Sequence, residues 1–173
     1  MGLAWAISEM KSKQKGNDPA GLDRSSHDLS RSHAEALTRK HLQWGWWGLL
    51  IFLSLGIVLE ALHGFKVGAY LNVGNETRRL MWRLAHAHGT MLSLVHMAFA
   101  LTIPHLDKLA DKQGRQLSRC MMGASILMPA GFFLGGVVTY GGDPGLGIFL
   151  LPIGAFLLFV GVYGIASALG KKG

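Results

Sequence analysis

Five of the chain's eight histidines, His63, His86, His88, His96 and His105, fall within or beside long apolar stretches, and Glu60 stands one helical turn before His63. Imidazoles and carboxylates ligate transition metals, and an imidazole serves as the axial ligand of haem. A three-residue spacing puts Glu60 and His63 on nearly one helix face, the spacing that carboxylate-bridged metal sites use. A di-iron set needs further carboxylates from other helices, and the sequence lacks them. His27, His33 and His41 stand in or beside a polar N-terminal segment, where a solvated histidine is expected. Nothing points to hydrolysis. Ser54, Ser93 and Ser125 have no His and Asp at matching depth, and no phosphate loop or HExxH pattern occurs.

The elements that must position these groups follow from composition. Half of the 173 residues are apolar, 16% are charged and the mean hydropathy is +0.30. Disordered, collagen-like and disulfide-scaffold chains are excluded, the last because Cys120 is alone. The apolar residues collect in blocks of about twenty, the length of a bilayer-crossing helix. Spans are expected at about 42–64, 84–104, 117–140 and 146–169. Without water in a bilayer core to satisfy open backbone groups, such spans must be helices. The expected fold is therefore all-α, a polytopic four-transmembrane-helix bundle over residues 41–170, preceded by a polar, partly helical tail over residues 1–40. Within that tail Gly16 to Pro19 reads as turn or disorder, and Ser32 with Glu35 has capping-box spacing, which places a helix start near Ser32. The opening residues lack the pattern of a cleaved leader.

Small residues mark the helix seams: Ala85, Gly89, Ser93 and Ala100 in the second span, Gly131 and Gly135 in the third, Gly164 and Ala168 in the fourth. Pro129 and Pro152 fall within spans, where proline kinks a helix. Trp44, Trp46 and Trp47 open the first span as headgroup anchors. The turn Gly141 to Gly145 joins the last two spans.

The basic residues suggest orientation rather than nucleic-acid binding, since they flank apolar blocks and form no patch with interleaved aromatics. Lys and Arg crowd the N-terminal tail, the 105–119 connector and the Lys171-Lys172 end, while the other side carries only Lys66, Arg78, Arg79 and Arg83. By the positive-inside rule both termini are cytoplasmic, in an inner, cytoplasmic-type membrane. The Asn75-Glu76-Thr77 triplet would then lie outside, but such triplets are common by chance.

This topology brings Glu60, His63, His86 and His88 to one depth at the outer face. One carboxylate and three imidazoles suffice for copper, iron or zinc, or for one axial ligand to haem b together with partners for its carboxylates. Successive residues of a helix differ by about 100°, so His86 and His88 point roughly 160° apart. With the small-residue ridge facing inward, His88 turns sideways toward a neighbouring helix, the headgroups or a partner subunit. His96 lies about 15 Å along the axis from His86, too far to share one ion. Near the membrane midplane its partners are Ser93 and, as a possible second haem ligand, Met128, with no second buried histidine expected.

From Trp46 to Leu106 the order of apolar helix, polar loop and Arg83-Leu84-Ala85-His86-Ala87-His88-Gly89 resembles the first two helices of the heme-copper oxidase catalytic subunit. The resemblance implies that His86 or His88 ligates a low-spin haem near the outer end of the second helix. Such subunits have many more helices and histidines, whereas spans three and four here contain none. The chain is therefore expected not to be an oxidase, or any enzyme, by itself. The missing ligand would come from His63, another chain or a second copy.

Three readings result. The first is a small membrane protein that binds haem or a transition-metal ion through His86, His88, His63, His96 and Glu60, as an accessory component of a redox complex. It would sit in lipid with other membrane subunits or as a homo-oligomer. The second is a structural subunit without cofactor. The third is a proton or metal-ion transporter using Glu60, His63 and His96, although the two halves of the chain show no internal repeat.

Overall fold

The computed structural model describes residues 19–72, 74, 76–106 and 111–170. These residues are almost wholly helical: α1 is Pro19–Gly64, α2 Gly68–Leu71, α3 Glu76–Thr102, α4 Asp111–Val137 and α5 Leu150–Gly170. Short 3-10 turns follow α3 at Ile103–His105 and precede α5 at Leu146–Phe149. Four helical stretches, Asp28–Gly64, Glu76–His105, Lys112–Val137 and Leu146–Gly170, are long and apolar enough to cross a membrane. Their large outward side chains are apolar, among them Trp46, Ile57, Leu101, Phe156 and Phe159.

The chain divides into one unit ending at Ala36 and a second, Leu37–Gly173. In the first, Ser32 is not a cap. α1 already begins at Pro19, and the Ser32 hydroxyl donates back to the Leu29 carbonyl at 2.8 Å, as serine does inside a helix. The Gly16–Pro19 turn, Asn75 of the triplet and the C-terminal lysines fall outside the described residues, apart from Pro19 at the start of α1.

The second unit is a helical bundle whose seams are lined by small residues. Ala85, Gly89, Ser93 and Ala100 are buried, as the inward ridge requires. Across from them α1 contributes Gly45, Gly48 and Gly56, spaced to stay on one helix face. A Cβ on Gly45 would stand 2.7 Å from Met97 Cγ, and one on Gly56 would stand 2.5 Å from His86 Cε1. The Phe52 ring in turn lies against Gly89. Gly131 packs on the start of the last helix, where its Cβ would lie 2.8 Å from Leu151 Cδ2. Pro129 is interior to α4, while Pro152 occupies the first turn of α5, where its missing N–H is not needed.

Two termini explain where the helices stop. Lys66 adopts a left-handed backbone (φ 55°), and the Val67 amide returns to the Leu62 carbonyl at 3.0 Å, closing α1. After α4, Thr139–Tyr140 pairs with Asp143–Pro144 around Gly141 and Gly142. Their φ of 58° and 99° suits a two-residue hairpin turn that other residues adopt poorly. Arg78 seals this end: its guanidinium donates to the carbonyls of Gly136 (3.0 Å) and Val137 (3.4 Å), the open C-terminus of α4, and to that of Ala69 (3.2 Å).

Gly89→Leu should force α1 from α3 and destabilise the protein by about 1–3 kcal/mol. Adding Phe52→Ala should restore part of that loss, because the two side chains compete for one space; unfolding in detergent of the single and double variants measures both.

Candidate functional site

At the end of the bundle where α1 closes and α3 opens, a cavity of about 930 Å³ is lined by Glu60, His63, His86, Tyr70, Arg79 and Arg83 over an apolar floor that includes Leu53, Ile57 and Leu84. Three of the expected site residues therefore come together: Glu60 and His63 from α1, His86 from α3. The half-buried His86 ring lies in the space left by Gly56, and its Nδ1–H donates to the Phe52 carbonyl at 2.7 Å. That bond fixes the tautomer, so the lone pair of the neutral ring is on Nε2. Glu60, His63 and Arg83 are exposed, and among the described residues none of their side chains makes a hydrogen bond or ion pair. Arg79 is held, donating to the carbonyls of Asn72 (3.1 Å) and Tyr70 (3.4 Å), with Glu76 at 3.6 Å.

His88 is elsewhere. It packs on Phe132 of α4 with ring centroids 4.6 Å apart, and its Nδ1–H donates to the Leu84 carbonyl of its own helix at 2.9 Å. The roughly 160° between His86 and His88 around the helix axis gives His88 this sideways direction. Tyr140 and Asp143 are exposed on the hairpin, and neither lines the cavity. His105 is exposed at the far end of α3. Among the described residues no group of three His, Cys, Asp or Glu side chains is placed to hold a metal ion.

His41 is expected in solvent and His96 without a histidine partner, and the structure corrects both expectations. His41 and His96 are each 0% exposed, and their Nδ1 atoms are 2.6 Å apart with the rings stacked at 4.9 Å. His41 Nε2 is 2.9 Å from Ser118 Oγ, and His96 Nε2 is 3.0 Å from Ser125 Oγ. Trp44, expected as a headgroup anchor, does not face outward with its exposed neighbours Trp46 and Trp47: it turns inward, its Nε1–H donating to Ser125 Oγ at 3.0 Å. Met128 is no partner of His96; it packs against Gly154 of α5.

Hydrogen-bond valence sets the direction of this chain. Indole can only donate, and Ser125 Oγ donates to the Met122 carbonyl at 2.9 Å, so it accepts from both Trp44 and His96. His96 then carries its proton on Nε2 and accepts at Nδ1. His41 donates from Nδ1, and its ring in the neutral form accepts at Nε2 from the Ser118 hydroxyl. Every ring nitrogen is engaged, and α1, α3 and α4 are tied together.

A signal for His41 was present in the sequence. Its position continues the α1 face of Gly45, Gly48, Phe52 and Gly56 by one turn, and the same face reaches Leu59 and His63 at its other end. Charged neighbours Arg39 and Lys40 obscured it.

Comparison with known proteins gives no counterpart, since no family model, no curated protein and no solved structure matches the chain.

Ser125→Ala strips an acceptor from Trp44 and His96 together. It should cost about 1–3 kcal/mol in unfolding free energy, the usual penalty for orphaning a buried donor, and a stability unchanged from wild type would show that the network carries no weight.

Proposed function

We propose that this is a small multi-pass membrane protein that binds haem in the cavity between α1 and α3, as an accessory component of a membrane redox complex. The Lys and Arg distribution puts both termini and the 105–119 connector on the cytoplasmic side, and hence the cavity on the outer face. The observation that carries the reading is the hydrogen bond from His86 Nδ1 to the Phe52 carbonyl. Second-shell bonds of this kind orient imidazole ligands and raise their basicity, leaving Nε2 for iron. The resemblance to the oxidase helices left His86 and His88 as alternatives; His86 lines the cavity, whereas His88 faces Phe132.

The remaining lining suits an amphipathic, anionic group. The cavity falls in the size range of cofactor sites, its floor is apolar, and Arg79 and Arg83 stand where haem carboxylates would need cations. His63 supplies an imidazole across the cavity from α1. A bare copper, iron or zinc ion is served less well, because no complete ligand set comes together among the described residues. Haem, when bound, supplies one-electron redox chemistry; the chain's own groups hold and orient it.

Protein purified in detergent from haem-replete cells should show a Soret band. His86→Ala should abolish it, and the Arg79→Ala/Arg83→Ala double variant should weaken haem retention with His86 still able to ligate. A colourless wild-type protein that takes up no added haemin would overturn the proposal and favour a purely structural subunit.

A further inference from the structure

We infer that Ser118, His41, His96 and Ser125 form a proton relay leading from the connector end of the bundle to a groove between α1 and α4. The inference goes beyond the haem reading and shares no residue with it. The four side chains stand in series at 2.9, 2.6 and 3.0 Å, and all four are buried. Ser118 and Ser125 are seven residues apart on one helix, so the series advances about 10 Å along its axis. Its inner end opens on a groove of about 510 Å³, whose lining is apolar apart from the polar atoms of Trp44, Ser93 and Ser125.

The residue types set this series apart from a plain interhelical clamp. Each hydroxyl and each imidazole both donates and accepts, and each ring engages one neighbour through Nδ1 and the other through Nε2. The donor-only N–H of the Trp44 indole bonds to the series only at its end, on Ser125, so no link along the line is blocked. Ionisable groups inside a membrane-crossing bundle mark proton paths in pumps and transporters because they are otherwise costly to keep there.

The transfer balances. A proton arriving at Ser118 Oγ releases that hydroxyl's own proton to His41 Nε2. His41 passes its Nδ1 proton to His96 Nδ1, and His96 passes its Nε2 proton to Ser125 Oγ. Ser125 gives up its original proton at the groove and lets go of the Met122 carbonyl. One proton enters, one leaves and no electron moves; both rings end as their opposite neutral tautomers, and passage in the reverse direction restores them.

The test reads the inner end while changing the outer one. Full-length protein with 15N-labelled histidine, in lipid bicelles, is moved into D2O, and loss of the His96 Nε2–H signal is followed by 1H–15N NMR. In wild type, deuterium reaches His96 through Ser118 and His41. Ser118→Ala and His41→Phe should each slow that exchange, on the order of a hundredfold, the scale of a positioned proton-transfer group. A mere clamp predicts the opposite sign, since loosening the helices speeds exchange. Exchange in Ser118→Ala equal to or faster than wild type would overturn the relay; this smaller substitution decides the matter if His41→Phe fails to fold.

Discussion

Two imidazoles meeting Nδ1 to Nδ1 at full burial impose a condition that the rest of the bundle must satisfy. An unpaired polar group in an apolar interior costs several kcal/mol by transfer measures, so each ring needs a partner at both nitrogens. That demand fixes where α1, α3 and α4 stand relative to one another, because His41, His96, Ser118 and Ser125 come from all three. The glycines of α1 make the condition attainable. With no side chain at Gly45 and Gly48, the backbone of α1 approaches Met97 and Ser93 of α3 closely enough for the two rings to touch. Helix association in lipid gains little from burial of apolar surface, so close backbone approach and interhelical hydrogen bonds have to supply it.

The same α1 face reaches the opposite end of the bundle under different conditions. There the seam is wedged by the His86 ring on Gly56 and by Phe52 on Gly89, and beyond them it parts into the cavity. Polar groups in that cavity can stay unpaired because Glu60, His63 and Arg83 are exposed, whereas the connector end has no such freedom. One helix face thus carries a closed, saturated set of polar groups at one end and an open, unsaturated set at the other. Unsaturated groups are those that can still take a ligand.

Arginines of the same loop and helix start also divide by role. Arg78 is committed to the C-terminal carbonyls of α4 and stands 5.8 Å from the Trp82 ring centroid, within a stack of Tyr70, Trp82 and Phe133. Arg79 is tied to the loop carbonyls of Tyr70 and Asn72. Arg83 keeps its guanidinium for the cavity. As counts of positive charge they were equivalent; their hydrogen-bond partners separate a cap, a strut and a cation that is free among the described residues.

Much of the architecture was legible in the sequence. Four apolar blocks, the small-residue ridge of α3 and the glycine turn before the last helix are local patterns whose consequence depends on period and length alone. So is the opposition of His86 and His88, which follows from 100° per residue. What could not be read was any pairing across helices. His41 looked solvated beside Arg39 and Lys40, and Trp44 looked like its neighbours Trp46 and Trp47, because the one turn that separates inward from outward residues is set by rotation of α1 against α3 and α4. Met128 and His96 shared a depth without sharing a face. The number and order of the spans, the ridge and the gathering of Glu60, His63 and His86 at one end were determined by the sequence itself, as properties of single helices and of chain connectivity. The burial of His41, its bond to His96 and the serines that complete them were decided only by tertiary packing, since helix rotation depends on contacts summed over all the neighbours at once.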